Sequence, residues 1–255
     1  GIGRYAFSDI TADLTLPTGL TEIGEYAFYG YRGKNAPEIP ASVLSIGDYA
    51  FARMTEITGE IKLNSAIESV GAYAFEGVSA PVKIADGSKL TEIGEYAFAG
   101  YLGDKVDIPS GVARIAAYAF YGCENLTSVG GLNNVTIIGE YAFAYSKINS
   151  FVAHDELYSI GARAFYSCEE LTEIRFGKTS GITNVGQGAF EGCSTLIEAE
   201  FSFVGGSIGS GNGYIGYVFG GKNYSDNARV VPTSLKTVTV HGGVIDANAF
   251  YGCSS

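Results

Sequence analysis

The sequence contains no tryptophan, one methionine, two histidines and no two adjacent basic residues. Charged residues make up only 17% of the 255, and the net charge is −11. Each scarcity excludes something. Nucleic acid needs clustered Lys and Arg to neutralise phosphates, and an anionic bilayer surface needs a polybasic run; neither is present. No apolar run approaches the roughly 20 residues of a membrane-spanning helix, so no membrane insertion is expected of this stretch. The only imidazoles are His154 and His241, and there is no C-x-x-C pair. A zinc site therefore lacks its usual ligand spacing, and no metal, cofactor or catalytic residue is expected. No secretory leader is visible at the start of the chain.

Glycine is abundant (36), as are tyrosine (18) and phenylalanine (15), and 46% of residues are hydrophobic. That profile suits many tight turns around an aromatic core. The hexapeptide "IGEYAF" stands at 23–28, 93–98 and 138–143. Aligned on its last residue, the motif I-G-x-Y-A-F places Phe at 7, 28, 51, 75, 98, 120, 143, 165 and 190, with a later copy at 250 and a degenerate "IGYVF" at 215–219. The spacing predicts about eleven rungs of about 23 residues, the signature of a repeat architecture. A second block lies between motifs, as in "LTLPTGLTEIG" (14–24) and "VDIPSGVARIA" (106–116). Its alternating I-x-I reads as a short strand, ended by Pro17, Pro40, Asn64 or Pro109. Ile23, Ala27 and Tyr31 fall at i, i+4 and i+8, which predicts one or two helical turns after each I-G. Gly30 and its equivalents, two residues past Phe, would supply a left-handed stop. So short a unit buries its hydrophobic edge only by stacking on further copies. The chain opens inside one copy ("GIGRYAF") and stops inside another ("AFYGCSS"), as expected of one repeat domain, 1–255, truncated at both ends.

The unit resembles the BspA-like, or Treponema pallidum type, leucine-rich repeat. "LTEIGEYAFAG" (90–100) and "IDANAFYGCSS" (245–255) carry its I-G-x-x-A-F-x-x-C core. The departures are a cysteine missing from most rungs and the Gly-rich stretch 202–231. The resemblance implies a β-rich α/β solenoid: a right-handed arc with short parallel strands and one-turn helices. It also implies a secreted or cell-surface bacterial protein, with adhesion to host proteins known for several members.

The residues add candidates. The x of I-x-I points away from the core and gives the column Thr15, Glu38, Lys62, Lys83, Asp107, Val152, Arg175, Glu200 and Thr239. Solenoids offer extended concave surfaces of this kind to partners. Lys62, Lys83, Asp107, Arg175 and Glu200 are thus candidate ligand-binding residues; the alternative is a merely solvated face. A monomer binding a protein or a glycan is expected, and a structural spacer is the competing role. Tyr5, Tyr26, Tyr49, Tyr73, Tyr96, Tyr118 and Tyr141 form a second column, broken by Arg163 and Gly188. It could stack sugars or simply pack. Cys123, Cys168, Cys193 and Cys253 each stand three residues after a repeat Phe, as buried thiols or with Cys168 bridged to Cys193. "GGSIG" (205–209), with Asp226 and His241 following, imitates a hydrolase elbow, and "GYVFGGKN" (216–223) imitates a phosphate loop. Both need a strand–turn–helix context that the neighbouring residues do not offer. The 202–231 stretch is either a long rung with a protruding loop or a recognition feature.

Overall fold

In the computed structural model, which describes residues 1–178 and 181–254, the chain winds as a parallel-strand solenoid of about eight regular turns with little helix. The strands form two series of parallel ladders. One consists of two-residue strands ending on the motif isoleucine or valine, from Glu22–Ile23 through Ser69–Val70 and from Glu92–Ile93 through Asn184–Val185. The other holds the I-x-I strands: Ile61–Leu63 with Val82–Ile84, Lys105–Asp107 with Ser128–Gly130, and Ser150–Ala153, Glu173–Phe176, Glu198–Phe201 and Thr237–Val240 in succession. The strand Glu198–Phe201 pairs directly with Thr237–Val240, so the 202–231 stretch leaves this ladder unbroken.

The eleven-rung expectation is too high for the regular architecture, because the outer copies depart from it. The Phe7 copy contributes only an isolated bridge from Ile2 to Ile23, and the degenerate copy folds as a 3-10 helix over Ile215–Phe219. That copy still occupies a rung: Phe190 N–H donates to Val218 O at 2.9 Å, as Phe165 N–H donates to Ala189 O at 2.8 Å. Ser255, at the end of the last copy, lies outside the described residues.

The helical turns expected after each I-G are not there. Among the described residues the only α-helix is Asn227–Val230, outside the regular rungs. The motif instead forms tandem turns. Ala27, Tyr29 and Tyr31 N–H groups donate to Gly24, Tyr26 and Phe28 O at 3.2, 3.1 and 3.0 Å. The alternate donors, Tyr26, Phe28 and Gly30, reach the next rung at Asp48, Ala50 and Ala52 O at 2.9, 2.7 and 2.8 Å. A helix would direct its N–H groups along its own axis, whereas tandem turns spend half of these six donors on the neighbouring rung. Stacking thereby supplies partners to backbone groups that it buries. The turns need positive φ at two places, met by Tyr26 (+55°) and Gly30 (+61°). Each is the third residue of a turn of type II form. The same left-handed conformation recurs at every column tyrosine from Tyr5 to Tyr141. For a residue with a Cβ it costs about 1–2 kcal/mol. Ring stacking, at about 0.5–1.5 kcal/mol per pair, offsets much of it.

Glycine follows the motif isoleucine for a different reason. A Cβ on Gly139, Gly161 or Gly186 would stand 2.5, 2.5 and 2.2 Å from a backbone nitrogen of the preceding rung. Where Ala116 takes this position, the neighbouring Tyr96–Ala117 ladder bond lengthens to 3.4 Å.

The core is a continuous stack. Phe7, Phe28, Phe51, Phe75, Phe98, Phe120, Phe143, Phe165 and Phe190 follow one another at centroid separations between 5.0 and 5.6 Å. Motif Ile and Ala residues fill the space around it. The 202–231 stretch is tied into the same core by Phe203, Val204, Ile215 and Phe219. Buried Asn227 accepts from Gly216 N–H at 2.9 Å and donates to Ala249 O at 3.1 Å.

Candidate functional site

The I-x-I strands show the buried–exposed–buried alternation expected of a ladder with one solvated face. Lys62 stands directly opposite Lys83. Further along, Val152, Arg175, Glu200 and Thr239 share one line of register. The five candidates differ in what already occupies them. Asp107 pairs with Lys105 at 3.1 Å, Arg175 with Glu173, and Glu200 with His241. Lys62 and Lys83 form no ion pair among the described residues. Like charges facing one another across paired strands are unfavourable, and an incoming carboxylate relieves that repulsion. Lys62 also borders a depression of about 1010 Å³, shared with Glu60 of its own rung and Thr15 and Glu38 of earlier ones.

The tyrosine column lies on the turn side. Its seven rings stack at 4.6–5.1 Å with interplanar angles of 4–21°. Because the rings cover one another, the column shows solvent mainly edges and hydroxyls, and its interior members have no free face for a sugar. This follows from the pitch: parallel strands repeat at about 4.8 Å, close to the thickness of a stacked aromatic pair.

The cysteines divide by environment. Cys123, Cys168 and Cys193 are buried free thiols whose Sγ atoms donate to Phe98, Phe143 and Phe165 O at 3.0, 3.2 and 3.2 Å. Burial pushes Cys123 up to about 12 and Cys168 up to about 11, and raises Cys193 well above the ordinary thiol value. Cys253 corrects the expectation of four buried thiols: it is exposed, because no further described rung covers the last copy. Iodoacetamide should therefore modify one thiol in the native protein and four after denaturation without reductant, read by intact mass. Two modified thiols after denaturation would instead show a Cys168–Cys193 bridge.

The two enzyme-like motifs do not assemble. His241 pairs with Glu200, while Asp226 accepts from Lys222 N–H at 2.9 Å and Arg229 at 3.1 Å. Residues 205–209 are bends and turns, and the phosphate-loop imitation begins in the 3-10 helix Ile215–Phe219. The signal underused in the sequence is the break in the tyrosine column, where Tyr121, Tyr145 and Tyr166 pack edge to face instead of stacking.

The family model described as the BspA type leucine rich repeat region matches six copies, over residues 1–103 and 91–211. A search of curated proteins found no match. Among solved structures, a leucine-rich repeat protein from Bacteroides ovatus superposes with a TM-score of 0.69 at 18% identity, over 94% of this chain and 58% of that one. The pneumococcal vaccine antigen PcpA superposes with a TM-score of 0.53 at 17% identity, over 94% and 57%. The chain thus spans less than two thirds of the length of either structure. Those likenesses concern the fold.

Proposed function

This chain belongs to the BspA-type leucine-rich repeat family, and from that premise we propose that it is a non-enzymatic protein-binding or adhesion module of a secreted or cell-surface bacterial protein. It acts as a monomer through the face of its I-x-I ladder. The observation that carries this reading is the Lys62–Lys83 pair, in register, exposed and without an ion-pair partner among the described residues. In a chain of net charge −11, such a spot favours an acidic protein segment lying across the rungs. Asp107, Arg175 and Glu200 follow it on later I-x-I strands and extend the contact. The right-handed, concave course that the resemblance implies would wrap such a segment. The surface setting is supported by the family and by the likeness to a pneumococcal vaccine antigen.

The test uses an oligoglutamate peptide and a panel of purified extracellular proteins as probes. Wild type should bind the peptide, with affinity falling as salt rises. K62E/K83E should weaken binding by about tenfold or more, the order expected when charges at an interface centre are reversed. Adding R175E should contribute little, since Arg175 is already paired with Glu173. Binding that survives K62E/K83E and is lost on replacing 202–231 would move the site to that stretch. No binding to any probe would favour the spacer role.

A further inference from the structure

The tyrosine ladder ends where three departures from the repeat coincide. The position after Tyr141 holds Arg163, and the next holds Gly188. Arg163 donates to Tyr141 OH at 3.2 Å and to Glu191 Oε2 at 3.1 Å. Gly188 makes room for this pair: a Cβ there would meet Glu191 Oε2 at 2.7 Å. The third departure is Tyr145. Two residues past the repeat Phe, six copies place a left-handed glycine, from Gly30 to Gly252, yet this copy holds Tyr145 at φ +61°. Asp9, Arg53 and Ser167 take the same left-handed conformation in that slot (φ +56°, +60° and +52°), so Tyr145 differs from them in its ring and not in its backbone. Tyr145 remains 43% exposed. Its ring stands edge-to-face with Tyr121 (5.4 Å, 82°) and Tyr166 (5.3 Å, 72°). These rings border a depression of about 500 Å³ that Arg163 and Glu191 also wall.

We propose that this depression binds a neutral carbohydrate, with a pyranose ring laid on Tyr145 and its hydroxyls bonded to Arg163, Glu191 and the surrounding phenols. A sugar presents an apolar C–H face and a rim of groups that both donate and accept, which matches aromatic walls edged by polar atoms. The guanidinium has five N–H donors, and two are engaged by Tyr141 and Glu191. The Arg163 charge is already answered by Glu191, so an acidic sugar gains little. A cationic ligand meets a filled place, because Arg163 lies 5.9 Å from the Tyr141 ring centroid. A proline-rich segment, with its fixed polyproline helix, would leave most of the polar rim unpaired. The site is on the turn side, so the proposal does not rest on the strand-face reading above.

The experiment is a printed panel of neutral gluco-, galacto-, manno- and N-acetylhexosamine oligosaccharides, followed by calorimetry on the whole chain. At least one glycan should bind saturably. Tyr145→Gly and Arg163→Tyr should each weaken it by at least about tenfold, as for anchor residues at the centre of a site. Tyr145→Gly should leave the thermal midpoint unchanged or raise it, because glycine relieves the positive φ. Arg163→Tyr keeps the fold by extending the stack at a position already left-handed (φ +53°). K62E/K83E should leave glycan binding unchanged. The proposal is overturned if no glycan in the panel binds, if both pocket variants bind normally, or if a proline-rich peptide or a trimethylammonium compound is preferred to every sugar.

Discussion

Phe98→Ala will cost about 3–5 kcal/mol of unfolding free energy, the range for large aromatic truncations in well-packed cores. Phe98 is fully buried. It stacks on Phe75 at 5.0 Å and Phe120 at 5.1 Å, and meets Tyr101 edge-on at 5.7 Å. Rungs on both sides hold the cavity open, so it cannot collapse. Phe7→Ala offers the contrast. Phe7 is only partly buried and stacks on Phe28 alone, at 5.3 Å. Its loss should cost about 1.5 kcal/mol or less, near the low end for burying such a side chain. Denaturant titrations of both variants compare the two directly; equal costs would mean that burial is not set by stacking.

The second large effect is alkaline destabilisation. Unfolding releases the buried thiols to water, where they ionise near the ordinary value of 9. In the folded chain they hold their protons up to about 12 for Cys123 and about 11 for Cys168. The folded values are raised, so this contribution is fully present below pH 9 and is lost as pH climbs toward 11 and 12. At 1.36 kcal/mol per pH unit, the ceilings are roughly 4 kcal/mol for Cys123 and roughly 3 kcal/mol for Cys168. Tyr101, buried and raised by desolvation, pulls in the same direction. A variant lacking Cys123 and Cys168 isolates those two thiols. Val78 and Ser146 fill the same slot in other rungs and are buried there, so Cys123→Val with Cys168→Ser should fold. Between pH 9 and 11 its midpoint should fall less steeply than that of wild type. Parallel slopes would show that Cys123 and Cys168 are not the titrating groups.

The repeat period and the pairing of I-x-I strands were legible because Phe and the alternating apolar pair recur at fixed offsets, and stacking demands that recurrence. The helical turn was misread because Ile23, Ala27 and Tyr31 satisfy helical spacing while their backbones do not. Side-chain period says nothing about the alternate donors that go to the next rung, and the positive φ of Tyr26 is invisible in its letter. The tyrosine column was visible as a column, but not the self-covering of its rings, which depends on the rung spacing. Lys62 and Lys83 were visible as outward residues. Their direct opposition follows from register, and the pair stands apart because Asp107, Arg175 and Glu200 already have partners in Lys105, Glu173 and His241. Tyr145 went unremarked because its slot varies among Asp9, Arg53 and Ser167, which share its left-handed backbone, and only its exposed ring distinguishes it.

Hydrogen–deuterium exchange of the whole chain with and without saturating oligoglutamate peptide tests the strand-face account most directly. Protection is predicted in Ile61–Leu63 and Val82–Ile84, the strands that carry Lys62 and Lys83, with the turns around Tyr145 unchanged. Protection confined to residues 202–231 or to the tyrosine turns, with those two strands unaltered, would contradict it.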